Sequence, residues 1–253
     1  GIIAQAKRLA ATGDYVSIHF DARANPADFD KIKNALGSNP SVTFARKRHK
    51  CGWGEWSLVA ATLEAVRAAY AAFPDATHFY MLSGDCMPAK TAQYAHDVLD
   101  ADPVDYIESF DFFASDWIKT GIKEERLIYR HWFNERTQKR LFYASMNLQR
   151  RLGLQRQVPA DIQMQIGSQW WCLTRQTLSA ILEDPDRKLY DAYFKRVWIP
   201  DESYFQTLAR LYSTSIESRS LTLFKFDYQG KPHIFYDDHM QLLRRSDCFV
   251  ARK

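Results

Sequence analysis

Trp198-Ile199-Pro200-Asp201-Glu202-Ser203-Tyr204-Phe205 sets an acidic pair directly after a proline, at the start of an apolar helix pattern. Proline suits the first helical position, so Glu202 falls in the first turn, where a carboxylate is favoured beside unpaired backbone N–H groups. Two chemistries fit. The carboxylate can simply cap the helix, or it can take the proton of a hydroxyl as that hydroxyl attacks a neighbouring carbon. A base of this kind works best in a partly apolar pocket. Trp170 and Trp171, in Gly167-Ser168-Gln169-Trp170-Trp171-Cys172-Leu173, together with Trp198, are the expected wall on the acceptor side.

If the ligand is a nucleotide-diphosphate sugar, the departing diphosphate needs its growing charge stabilised by a divalent metal or by fixed cations. A metal route usually shows as Asp-x-Asp directly after a buried strand. Asp28-Phe29-Asp30 and Asp184-Pro185-Asp186 follow no such strand. The position where the motif belongs reads Ser83-Gly84-Asp85-Cys86, with one carboxylate. A lone Asp is a poor Mg²⁺ anchor and a reasonable acceptor for a sugar hydroxyl. The C-terminal segment supplies Lys225, Lys231, Arg244, Arg245, Arg252 and Lys253. Lys253, with Arg252 and Lys231 behind it, is the expected phosphate-binding group. No metal and no other cofactor is expected.

These residues must be positioned by a chain of 253 residues, long enough for a full core. The pattern alternates: helix over 1–12, strand over 15–20, helix over 26–36, strand over 42–44, helix over 56–72, strand over 78–82, helix over 91–99, strand at 106–107. Such βα alternation in the first 110 residues predicts a parallel α/β sheet with ligands at the strand carboxyl ends. Three of those ends are polar, at His19 to Asp21, Arg46 to His49, and Ser83 to Asp85. Residues 111–165 lack a clean period and carry a basic stretch from Arg136 to Arg156, which reads either as a solvated helical insertion or as an acceptor-facing flap. Beyond it the pattern gives a strand over 170–173, helices over 175–182 and 201–212, and strands over 221–226 and 233–236. No linker interrupts the run, so 1–253 reads as one domain.

A net charge of +4 does not demand a nucleic-acid partner. No apolar run approaches the ~18 residues of a membrane span, and the scattered Cys51, Cys86, Cys172 and Cys248 read as free thiols of a reducing compartment. A cytoplasmic protein, at most membrane-peripheral, is expected. Both ends read as trimmed, with room for further domains past Lys253.

Six blocks, in order, resemble the family of the core-2/I-branching β-1,6-N-acetylglucosaminyltransferases and peptide O-xylosyltransferases. They are Ile18-His19-Phe20-Asp21, Trp53 to Val59, Phe79 to Thr91, Gly167 to Arg175, Pro200 to Phe205, and Phe249-Val250-Ala251-Arg252-Lys253. The resemblance implies a GT-A-type, Rossmann-like α/β fold with a mostly parallel central sheet. It also implies inverting, metal-independent transfer from a UDP-sugar to a glycan, polysaccharide or peptide hydroxyl. Carried over by position, Glu202 is the general base, Asp85 holds the donor sugar, and Lys253 with Arg252 binds the diphosphate. His19, Asp21, Ser57 and Gly84 fall on the nucleotide side, and Lys231 is the looser second phosphate cation. The signal anchor and disulfides of animal members are missing, and Gln169 stands where xylosyltransferases often have Asp, so UDP-GlcNAc and UDP-xylose both stay open.

His19 also reads as an ordinary core histidine, and Trp53 and Trp56 as packing residues. Asp237-Asp238-His239 reads as a helix start rather than a metal site. Two rivals to the transferase remain: a UDP-sugar- or glycan-binding module without turnover, and a hydrolase pairing Glu202 with Asp85. The second leaves the basic tail unexplained.

Overall fold

The structure, a computed structural model, describes residues 1–226 and 233–252. Helix α1 (Ile2–Ala11) leads to β1 (Val16–Ile18), α2 (Pro26–Leu36) and β2 (Val42–Phe44). Pro26 at the first helical position and the Asn25 side chain, accepting from the Ala27 N–H, fix where α2 starts. β1 and β2 pair in parallel, and the two helices close Ala6, Ile18, Ile32, Leu36 and Val42 into a small core.

Helix α3 (Trp56–Ala72) is followed by β3 (His78–Tyr80), β4 (Cys86–Pro88), α4 (Ala92–Ala101), β5 (Asp105–Ile107) and β6 (Phe110–Asp111). Next come α5 (Glu125–Ile128), α6 (Lys139–Arg151), β7 (Gln165–Ile166), β8 (Trp171–Thr174), α7 (Arg175–Glu183) and α8 (Arg187–Phe194). A 3₁₀ turn, Pro200–Glu202, precedes α9 (Tyr204–Tyr212), β9 (Ile216–Glu217) and β10 (Thr222–Leu223). Another 3₁₀ turn, Asp237–His239, runs into α10 (Met240–Arg245), and β11 (Val250–Arg252) follows.

The α/β class stands, with a sheet more mixed than the sequence suggests. In the order β3-β8-β5-β9, β8 runs antiparallel to both neighbours, while β5 and β9 are parallel. A helical crossover between adjacent strands makes them parallel, as for β1 and β2. Strand β8 instead enters after the long excursion of 111–165, so no such crossover fixes its direction. A second sheet sets β11 between β10 and β4, antiparallel to β4. Residues 233–236, expected as a strand, are irregular. The helix expected over 201–212 is broken at Ser203 into the 3₁₀ turn and α9.

The main core packs Val59 and Leu63 of α3, Ile107, Trp171, Leu173, and Phe205 and Leu208 of α9. Buried Asp105 ties β5 to the start of α7, accepting from the Thr174 N–H and the Thr177 hydroxyl. A mostly apolar cavity of about 790 Å³ lies between β1 and β3. The four cysteines are unbridged, and no helix among the described residues is long and apolar enough to cross a membrane.

Candidate active site

The Glu202 turn is shaped by strained backbone. Ile199 sits at φ 56°, a left-handed conformation that a β-branched residue rarely adopts. Its N–H donates to the Gly54 carbonyl at 3.0 Å. Gly54 itself has φ +70°, and a Cβ there would lie 3.0 Å from the Trp198 ring, so glycine is what lets this loop close on the turn. From Ile199, Pro200 starts the 3₁₀ turn, and the Glu202 carbonyl accepts from the Gly167 N–H at 2.9 Å.

Glu202 Oε2 accepts from Arg126 Nη1 at 3.1 Å. Its side chain is 32% exposed and the guanidinium 12%. Burial raises the Glu202 pKa, and the charge and hydrogen bond of Arg126, with a hydrogen bond from Trp117, pull it back. The result is a carboxylate that is ionisable, proton-seeking and open on one side, as a general base needs to be. Sequence reading missed both partners. Arg126 and Trp117 lie in the aperiodic stretch 111–165, where only a surplus of cations and aromatics marked anything.

Asp201, next door, is pushed up to about 7, first by burial and then by the charge of Glu202. Its Oδ1 is buried without a hydrogen-bond partner. The folded state therefore holds a proton that the unfolded chain, at 3.8, has already released. Stability falls as pH rises from 3.8 through about 7, by at most about 4 kcal/mol. Asp201→Asn is expected to abolish that decline. Urea unfolding midpoints of variant and wild type should converge near the acid end of the window and separate above it, with the variant more stable; parallel curves would refute the assignment.

One loop gathers three of the residues expected on the nucleotide side. The His49 N–H donates to His19 Nε2 at 2.9 Å, the Cys51 N–H to Asp21 Oδ1 at 3.3 Å, and the Gly52 N–H to Ser57 Oγ at 2.9 Å. Burial, and then the neighbouring His49, lowers the His19 pKa, so His19 is a neutral acceptor here. All three side chains thus hold the 49–52 loop in place.

Gly84 and Asp85 form the exposed turn between β3 and β4. Because β4 pairs with β11 in the register Cys86 to Arg252, Arg252 arrives beside that turn. The Arg252 guanidinium lies over the Trp170 ring, 5.4 Å from its centroid, and its Nε is buried with no hydrogen-bond partner among the described residues. Segment 167–170 links this cation to Glu202: Gly167 bonds the Glu202 carbonyl, the Ser168 carbonyl accepts from Gln206 of α9 at 2.6 Å, and Trp170 lies under Arg252. Glu108, also unmarked in the sequence, is bonded to the Ser168 backbone, and burial raises its pKa. Lys231 and Lys253 lie outside the described residues.

The tryptophans require a correction. Trp170, Trp171 and Trp198 are all buried, so none presents an open ring face to an acceptor. Trp171 packs on Phe205 in the core, and Trp198 packs against Phe142 and Trp53. Strand β8 is covered on both faces, which buries its aromatics whatever their chemistry. The exposed ring of this neighbourhood is Trp53, with the Arg136 guanidinium 3.5 Å from its centroid. Among the described residues no three His, Cys, Asp or Glu side chains converge as a metal donor set. Asp237–His239 starts a helix, as its sequence suggests.

Comparison with curated proteins returns no match. The sequence profile of the family described as "Branch: Core-2/I-Branching enzyme" matches residues 6–243, a span that takes in the 49–52 loop, the Asp85 turn, segment 167–170 and Glu202 with its arginine. With an α/β fold of GT-A type, the chain belongs to the core-2/I-branching enzymes, a family of glycosyltransferases.

Proposed function

We propose that the protein transfers GlcNAc or xylose from a UDP-sugar to a hydroxyl of a glycan, polysaccharide or peptide, with inversion and without a metal ion. The observation that carries this reading is the pairing of a base with a cation whose Nε has no hydrogen-bond partner among the described residues. Glu202 is open on the side away from Arg126, and Arg252 holds a buried Nε with no acceptor, joined to it through segment 167–170. In the reaction the acceptor oxygen attacks the anomeric carbon as its proton passes to Glu202. The bond from that carbon to the diphosphate oxygen breaks, and UDP leaves with the electron pair. A single displacement inverts the carbon and needs no enzyme nucleophile. Arg126 fixes one carboxylate oxygen and leaves Oε1 for the proton. Asp85 accepts from a donor-sugar hydroxyl, while Arg252, with Lys231 and Lys253, neutralises the departing charge. His19, Asp21, Ser57 and Gly84 shape the nucleotide side. Trp170 contributes by supporting Arg252, and Trp198 by packing beneath the Glu202 turn.

Release of UDP from a panel of UDP-sugars, with and without EDTA, tests the reading. UDP-GlcNAc or UDP-xylose should be turned over at the same rate in both conditions. Turnover that requires added Mn²⁺ would remove the metal-free part. Stabilisation by UDP with no turnover of any donor and acceptor tried would leave a binding module instead.

A further inference from the structure

Residues 136–160 contain six cations, Arg136, Lys139, Arg140, Arg150, Arg151 and Arg156, and no acidic residue. Two of the six are engaged by the rest of the fold. Arg156 donates to the carbonyls of Leu127 and Tyr193, and Arg136 stacks on Trp53. The rest lie on α6, which buries Phe142, Met146 and Gln149 along one side. A surface helix ordinarily turns polar residues to water on its other side. This one turns out leucines: Leu141 is 50% exposed, Leu148 57% and Leu152 61%, and Leu154, just past the helix, 52%. Positions 141, 148 and 152, seven and four apart, form one stripe along the helix. Arg140 and Arg151 flank it on one side and have no ion-pair partner among the described residues, whereas Lys139 and Arg150 fall on the far side of the helix, Arg150 reaching Glu125 at 3.4 Å.

We propose that this face of α6 docks on a bilayer surface rich in anionic phospholipid. Single exposed leucines are ordinary, but a leucine stripe bordered by unpaired cations is the composition of a helix lying in the headgroup region. The leucines enter the acyl boundary, and Arg140 and Arg151 meet lipid phosphates. An anionic polysaccharide or nucleic acid would engage the cations and leave the leucines in water, so the two residue types together favour the bilayer. The inference is independent of which sugar is transferred.

Pelleting with vesicles of phosphatidylcholine and phosphatidylglycerol in equal parts tests it, against vesicles of phosphatidylcholine alone. The protein should pellet with the anionic vesicles at low salt and be released by high salt. The double variants Leu148→Ser/Leu152→Ser and Arg140→Glu/Arg151→Glu should each lower partitioning by at least about tenfold. Their thermal midpoints should stay near the wild-type value, because these side chains are mostly exposed. Failure to pellet overturns the proposal, as does binding that survives both double variants. Loss in the arginine pair alone would mean an anionic polymer, and self-association abolished by the leucine pair would mean a second copy of the chain; either result also overturns it.

Discussion

Glu202→Gln is expected to lower the rate of sugar transfer by about 10²–10⁴-fold while UDP binding persists. Glutamine keeps the shape of the side chain and one acceptor for Arg126 Nη1, so the turn stays in place. What it loses is the ability to take the acceptor proton. The nucleotide contacts proposed for the 49–52 loop, the Asp85 turn and Arg252 lie on other elements and should survive. Single-turnover UDP release measures the loss, and titration calorimetry with UDP measures what remains. Wild-type-like transfer by the variant would dismiss Glu202 as the base. The rate of the wild-type enzyme should fall on acidification through a value above 4.5, the ordinary glutamate value, because burial has raised the carboxyl and Arg126 only partly offsets it.

Gly167→Ala should be nearly as severe, for a steric reason. A Cβ on residue 167 would fall 1.8 Å from the Glu108 carbonyl oxygen and 2.5 Å from its carbon. Both are backbone atoms just past β5, a central strand, and cannot swing aside as a side-chain tip would. The Gly167 N–H meanwhile holds the Glu202 carbonyl. Relief must come from moving 167 away from β5, which pushes the Glu202 turn, or from opening the sheet. A loss of about 3–5 kcal/mol is expected, read from urea denaturation. Transfer should also fall in the molecules that remain folded. A variant with the wild-type midpoint and rate would mean that the two segments are less tightly apposed than they are here.

Helices α2 and α3 could be bounded from residue types because their starts are chemically marked, by Asn25-Pro26 and by the glycine-broken 52–54 loop. Helix α8 was not anticipated. Its sequence is highly charged, and it is anchored by burying Tyr190 and Phe194, a fact of tertiary packing. The direction of β8 was equally hidden, since a strand buried along its length reads the same in either sense. Glu202 was legible because an acidic pair after a proline is locally unusual. Arg126 was not, since its meaning arises only when α5 is brought against the 200–202 turn, 76 residues away in sequence. The tryptophans show the converse. Their type suits both stacking on sugars and filling a core, and only the covering of β8 and the packing of Phe142 on Trp198 decide between the two.

The pairing of β11 with β4 makes the side on which Arg252 emerges a matter of odd and even. Side chains alternate along a strand, so Val250 and Arg252 share one face and Ala251 takes the other. Inserting a single residue after Phe249 would keep every backbone bond available yet invert that alternation. The guanidinium would then leave the Trp170 ring and emerge on the reverse of the small sheet. Two inserted residues would restore its side while lengthening its reach, so this segment tolerates changes of length by pairs and not by ones.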